Sequence, residues 1–347
     1  MVLSFIVPVY NAASYLLECL QSLENQDLDA GAYEIICVDD GSWDESPELL
    51  RSFAAEHNNV VVIRQENSGV AAARNAGLQA AKGEYIWFID ADDFLMPNVA
   101  GELCEKIAQT GCDRLTVDAY QFEDQLTEQE QEAASQGTLL GNAPWYDSVV
   151  WRSLIRRSFL QNHGLSFRYP SLTHGEDGLF MYEFNRCQPV SVDSEKMAYF
   201  YREHSGSAET ARSVENSWKK LNSYRKIVTI LDGYAENGGA DAVTADLRMR
   251  FLWFALQEAA KMPWGQTWKA LGLLHQQGLF PSRCLPQRQP GPAFVTQRTD
   301  WLGKAYEGVY QHLHRPWGFI CLWLAYRVKN WIRQRTGEKA SRFFFCI

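Results

Sequence analysis

The chain holds no Cys-x-x-Cys pair. Its eight cysteines are scattered at 19, 37, 104, 112, 187, 284, 321 and 346, so a zinc or redox motif is not expected. Cys19 and Cys37 fall in apolar patterns and read as buried thiols, a usage that fits a reducing cytoplasm. No run of eighteen apolar residues occurs, so no transmembrane helix is expected. No charged leader precedes the first strand-like run, Leu3 to Val7, and no signal peptide is expected. No block recurs at a fixed period. The first strand also lacks the Gly-rich, Lys-containing phosphate loop with which nucleotidyltransferases usually open.

What is present is a globular balance. The 347 residues are 46% hydrophobic and 22% charged, long enough for one large domain or two ordinary ones. Twelve Trp is a high count, and many lie in the last third. Charge is uneven. From Arg283 onward there are eleven Lys/Arg against three Asp/Glu, so a chain of net charge −9 divides into a body of −17 and a tail of +8. No nucleic-acid partner is expected.

Over the first 118 residues, strand and helix patterns alternate. Phe5–Val9, Glu34–Val38, Val60–Ile63, Tyr85–Ile89 and Arg114–Val117 read as strands. Tyr15–Leu23, about 45–57, Gly69–Ala81 and Pro97–Thr110 read as helices, the last with Pro near its first turn. This alternation predicts a parallel, doubly wound α/β sheet. Ligands bind such sheets beyond the carboxyl ends of the strands. Residues 123–143 read as a surface helix or an insertion, Val149–Leu160 and Asp177–Asn185 as helices, and Met197–Tyr201 as a strand. Helices follow over about 214–235, 241–261, 266–277, 299–313 and 317–334. A Pro-rich linker at 280–292 precedes the last two.

Acidic residues mark two strand ends. Asp90-Ala91-Asp92-Asp93 places three carboxylates in four residues directly after an apolar run. Such crowding is unfavourable unless a cation or water separates the charges, and Mg²⁺ is typically held by one or two carboxylates plus substrate phosphates. A solvated acidic turn is the plainer alternative. Val38-Asp39-Asp40-Gly41-Ser42 ends another strand. An acid there can bond a base imide or a ribose hydroxyl, while Ser42 or Asp44 can cap the next helix. Pro8, Tyr10 and Asn11 end the first strand, where the aromatic can stack on a nucleobase or simply pack in its loop. Asn67 lies just before the Gly69 helix. Arg74 stands in this small-residue helix and can meet a diphosphate or base, or only solvent. Glu176 and Asp177 open an apolar helix whose positive end favours anions; capping is the plainer role.

Taken in order, Val-Pro-Val-Tyr-Asn, Val-Asp-Asp-Gly-Ser, Asn-Ser-Gly-Val-Ala-Ala-Ala-Arg-Asn and Asp-Ala-Asp-Asp resemble the nucleotide-sugar half of family 2 glycosyltransferases. The likeness is close over roughly 3–118 and loose to about 210. It implies the GT-A fold, a Rossmann-like, mostly parallel sheet flanked by helices, here with a helical C-terminal region. The expected domains are a catalytic domain at 1–210, with a nucleotide-sugar half at 1–118 and an acceptor half at 119–210. A helical region at 211–279, the linker at 280–292 and basic aromatic helices at 293–347 follow.

The resemblance also implies residue roles. Pro8, Tyr10 and Asp39 would line the nucleoside pocket, with Asn11 and Asn67 close by. Arg74 would support the nucleotide end and Asp90 the ribose. Asp92 would hold Mg²⁺ or Mn²⁺ on the diphosphate, with His204 as a further ligand or phosphate contact. Asp93 would take a sugar or second-layer contact, and Arg202 would bind diphosphate. Asp177 would be the general base of an inverting transfer, Glu176 its neighbour, and Trp151 a wall of the acceptor pocket or a core residue. The implied donor is a nucleoside diphosphate sugar, by default a UDP-sugar. The implied acceptor is a glycan or lipid-linked hydroxyl in cell-surface polysaccharide synthesis. A nucleotidyltransferase-like enzyme and an inactive scaffold of the same fold are the competing readings. The aromatic, basic stretch 316–333 suits either peripheral contact with the inner face of a membrane or packing on the catalytic body or a second copy in a homo-oligomer. The expected location is therefore cytoplasmic, with or without such attachment.

Overall fold

In the computed structural model, the described residues are 1–29, 31–135, 138–139, 141, 149–204, 213–236 and 241–276. The expected linker at 280–292, the helices at 299–313 and 317–334, and the 316–333 stretch lie outside them. The chain divides into two compact units, Met1–Thr210 and Ala211–Ile347.

The first unit runs β1 (Leu3–Val9), α1 (Ala13–Glu24), β2 (Tyr33–Asp39), α2 (Ser46–Glu56), β3 (Val60–Arg64), α3 (Val70–Ala80), β4 (Tyr85–Phe88) and β5 (Phe94–Leu95). It continues with α4 (Ala100–Thr110), β6 (Arg114–Glu123), α5 (Glu128–Ser135), β7 (Ser153–Arg156), α6 (Arg157–Asn162), α7 (Glu176–Arg186) and β8 (Ser191–Glu203). The sheet order is β3-β2-β1-β4-β7-β6-β8-β5. β1 to β4 are mutually parallel neighbours. β7 is antiparallel to both β4 and β6, β8 is parallel to β6, and β5 is antiparallel to β8. The sheet is therefore mixed, and mostly parallel.

Side chains alternate across this sheet. Phe5, Val7 and Val9 face a core shared with Leu16, Leu20 and Leu23 of α1 and Leu103 and Ile107 of α4. Ile6, Ile36 and Phe88 face the opposite core, with Ala71 and Ala73 of α3 and Phe180, Met181 and Phe184 of α7. The small residues of α3 have a steric cause: a Cβ at Gly77 would stand 2.4 Å from Ile6 Cγ2. Pro8 is tolerated inside β1 because its edge points toward β4, and that pairing has already ended at Ile6↔Phe88.

Two local expectations are corrected. Val149–Leu160 is not one helix; β7 and α6 share the span. Ser153, Leu154 and Ile155 are fully buried between β4 and β6, and a strand buried on both faces has no two-residue period to reveal it. Pro97 lies outside α4, which starts at Ala100. The two-residue strand β5 was not anticipated. In the 123–143 stretch, α5 is opened by a capping box: Thr127 Oγ1 accepts from Glu130 N, and Glu130 Oε2 accepts from Thr127 N.

In the second unit, α8 (Val214–Tyr234), α9 (Ala242–Lys261) and α10 (Trp264–Gln276) follow one another. Ser213 caps α8 and Asp241 caps α9, each accepting from the amide three residues on. Leu221, Ala259, Met262 and Ala270 join the three helices in one apolar cluster. Among the described residues no helix is long and apolar enough to cross a membrane.

Candidate active site

The parallel strands β1, β2, β3 and β4 end on one side of the sheet, and the acids sit there. Asp39, the last residue of β2, is 1% exposed. Its Oδ1 accepts from Ser42 N at 2.8 Å. Its Oδ2 has no hydrogen-bond donor, and the nearest cation is Arg64 Nε at 3.5 Å. A buried carboxylate oxygen without a donor is unfavourable, so this atom is a ready acceptor. Asp40 has a different task. It accepts from Gln65 Nε2, Ser68 N and Gly69 N at 2.7–2.8 Å, which ties the β3–α3 loop to β2. Asn11 (φ 50°) knots two loops: its N–H donates to Ser42 Oγ, and its Oδ1 accepts from Trp43 N. Tyr10 and Trp43 stand exposed at this rim. Asn67 is exposed, with its backbone against Gly41.

The turn after β4 separates its three carboxylates. Asp90 Oδ1 accepts from Arg74 Nη2 at 2.9 Å. Burial raises its carboxyl pKa, tempered by Arg74. Asp92 Oδ2 lies 2.9 Å from His204 Nε2 and stays partly open. The His204 ring packs on Tyr15 with centroids 4.5 Å apart. Asp93 is turned inward: its Oδ2 accepts from Tyr199 Oη and its Oδ1 from Arg202 N, both at 2.7 Å. Burial, then Asp92 and Asp90, hold its carboxyl well above the usual range.

α7 begins beside this turn, after Gly175 in the left-handed region (φ 78°). Glu176 Oε1 accepts from Arg74 Nη1 at 2.7 Å. Buried Arg74 therefore joins the β4 turn to the first turn of α7. Asp177 Oδ1 accepts from the amide of Gly178 at 2.7 Å. Burial pushes its carboxyl up to about 7; Glu176 adds to the rise and Arg74 opposes it.

One expected site residue has its side chain turned into the scaffold. Arg202, expected on a diphosphate, is 5% exposed. Its side chain donates to the backbone oxygens of Asp92 and Asp124 and pairs with Glu18. It also lies over the rings of Tyr15 and Phe122. Its donors are used by the scaffold. Trp151, read as an acceptor wall or a core residue, has core surroundings: it is buried, stacks on Tyr199 at 4.4 Å and accepts from Trp87 Nε1 through its backbone oxygen. Tyr199 was missed as the hub that accepts from Asp90 N and donates to Asp93. Asn75 was also missed; its side chain makes two 2.9 Å bonds to the backbone of Phe167. A polar amide in an alanine-rich helix was the available signal.

No group of three His, Cys, Asp or Glu converges as a metal cage among the described residues. Asp92 and His204 offer one oxygen and one nitrogen side by side. That pair fits a divalent ion whose remaining positions are filled by phosphate and water.

This mostly parallel sheet flanked by helices, with acids at the ends of β2 and β4 and at the start of α7, is a GT-A fold. The crystal structure of Staphylococcus aureus TarS 1-349 in complex with UDP-GlcNAc shares the fold. Its TM-score is 0.63 at 19% identity, covering 95% of this chain and 92% of that one. Residues 4–176 match the profile of Glycosyl transferase family 2, and the chain belongs to that family. EpsH and EpsJ of Bacillus subtilis (strain 168) are 35% and 34% identical over 224 residues, which is 59% of this chain and 61% and 62% of theirs. The poly(ribitol-phosphate) β-N-acetylglucosaminyltransferase TarS of S. aureus (strain Mu50) is 28% identical over 261 residues, 73% of this chain and 44% of TarS. The chain thus spans about three fifths of the first two relatives and less than half of TarS.

Proposed function

We propose that this chain is an inverting glycosyltransferase. It moves a sugar from a nucleoside diphosphate sugar, by default a UDP-sugar, to a hydroxyl of a glycan or lipid-linked acceptor in cell-surface polysaccharide biosynthesis. The observation that carries this reading is one continuous line of charge, Asp90–Arg74–Glu176, ending beside Asp177. It joins a strand-end acid cluster suited to a nucleotide to a second acid pair suited to proton transfer. The names of TarS and its UDP-GlcNAc complex support the choice of a uridine donor and a polymer acceptor.

In this reading residues 1–118 hold the donor and 119–210 the acceptor. Pro8, Tyr10 and Asp39 line the nucleoside pocket, with Asn11 and Asn67 shaping its loops. Asp39 Oδ2 accepts the base imide, and Asp90 faces the ribose. Asp92 and His204 would hold Mg²⁺ or Mn²⁺, which when bound offsets the negative charge of the diphosphate. Asp177 takes the proton of the acceptor hydroxyl as that oxygen attacks the anomeric carbon. The bond from that carbon to the diphosphate oxygen breaks on the opposite face. A carboxyl titrating near 7 suits this role, because it is substantially ionised at neutral pH yet more basic than an ordinary carboxylate. Glu176 is neutralised by Arg74 and contacts acceptor only through its outer oxygen.

Asp177→Asn tests the reading. Release of nucleoside diphosphate from the best donor, with acceptor present, should fall by about 10²–10⁴-fold, while calorimetric affinity for UDP stays within about threefold. Normal turnover by the variant would remove Asp177 as the base.

A further inference from the structure

We propose that Arg74 is a positioning residue, which clamps the first turn of α7 to the β4 turn and leaves Asp177, rather than Glu176, free for proton transfer. This rests on the Asp177 reading above and adds a residue to it. Three carboxylates, Asp90, Glu176 and Asp177, surround one guanidinium. Its two terminal nitrogens are spent on Asp90 and Glu176, at 2.9 and 2.7 Å. Its Nε is buried without a partner and the residue is 4% exposed, so the guanidinium is held between protein carboxylates and not presented to a diphosphate. This role differs from the support of the nucleotide end that the sequence resemblance implies. The next residue gives α3 a second grip. Asn75 binds both the N–H and the carbonyl of Phe167, and the Arg74 guanidinium carbon lies 5.5 Å from the centre of the Phe167 ring. α3 thus holds the segment from 167 to 176 near both ends. A guanidinium serves two carboxylates at fixed angles, which a flexible ammonium does not.

The groups facing Asp177 are Glu176, Arg74 and Asp90, and they pull its titration in opposite directions. Two variants exploit this. The assay uses whichever of a panel of UDP-, GDP-, CDP- and dTDP-sugars releases its nucleoside diphosphate fastest, with Asp177→Asn as control. In Arg74→Gln, kcat should fall by about 10- to 100-fold through misplacement of the base. The acidic limb of the kcat–pH profile should move up, and affinity for the nucleoside diphosphate should stay within about threefold. Glu176→Gln keeps an oxygen for Arg74 and puts less strain on folding; its acidic limb should move down. Affinity lost in step with kcat in Arg74→Gln would make Arg74 a donor contact and overturn the proposal. So would two variants with unmoved limbs. If Asp177→Asn retains turnover, the base assignment itself fails; if only Asp177→Asn loses turnover, the positioning role alone fails.

Discussion

Asp177 should oppose the stability of the protein it serves. Folding raises its carboxyl from an ordinary value near 3.9 to about 7, chiefly through burial and the neighbouring Glu176. The folded state therefore holds this proton more tightly than the unfolded chain. Below about pH 4 both states are protonated and the stability linked to this proton is fully present. As pH rises toward 7 the unfolded chain ionises first, and the favourable contribution is lost at up to about 1.4 kcal/mol per pH unit. Three units set an upper bound of about 4 kcal/mol on that loss.

Asparagine at 177 keeps an oxygen for the Gly178 amide and cannot ionise. At pH 8 the variant should be more stable than the parent by up to that amount, or up to about 8–16 °C in Tm for a unit of this size. At pH 4.5, only just above the unfolded pKa, the gap should shrink to about 1 kcal/mol or less. Turnover should move the opposite way: the parent's kcat should fall about tenfold between pH 8 and 6 as the base protonates, and the variant should have almost none. Thermal melts and initial rates over the same buffers decide it. A variant less stable than the parent at pH 8, an equal gain at both pH values, or a parent rate flat to pH 5 would each refute the reasoning.

Gly77→Ala should lower stability by about 1–3 kcal/mol through overpacking on Ile6, less the roughly 1 kcal/mol that alanine returns in helix propensity; denaturant melts measure the difference. Arg202→Leu should destabilise by about 1–3 kcal/mol, since it removes the donors to the backbone oxygens of Asp92 and Asp124; Glu18, half exposed, is left to solvent. Its calorimetric UDP affinity should not change, and a collapse of affinity with Tm intact would restore a diphosphate role. Mn²⁺ should strengthen UDP binding to the parent by about tenfold or more and should do so far less in Asp92→Asn; equal gains would move the metal site elsewhere.

The parallel half of the sheet was legible because each of its strands is a short apolar run closed by a polar turn. Phe5–Val9, Glu34–Val38, Val60–Ile63 and Tyr85–Ile89 correspond to β1–β4. The antiparallel insertion of β7 was not. Its burial on both sides erases alternation, and its two neighbours, β4 and β6, are distant in sequence. The same distance separates two arginines that look alike in the chain. Arg74 meets Glu176, 102 residues away, and Arg202 meets Glu18, 184 residues away. One lies in the line of carboxylates and the other in the scaffold, and nothing local to either residue distinguishes them. Trp151 poses the same problem: its stacking on Tyr199 is a tertiary fact.

Crowded charge after β4 raised a physical question that the fold answers. Three carboxylates in four residues repel one another unless each is separately satisfied. Asp90 receives Arg74 from α3, and Asp93 receives the Tyr199 hydroxyl and the Arg202 amide from β8. Asp92 has a His204 nitrogen at 2.9 Å and is still partly open. The repulsion is thus divided among partners from different elements, and no bound cation is needed to fold the turn. An ion here would act in function rather than in architecture. It follows that stripping divalent metal should leave the melting temperature of the free protein unchanged while weakening its hold on a nucleoside diphosphate. A drop in Tm on chelation alone would mean that the turn depends on the ion after all.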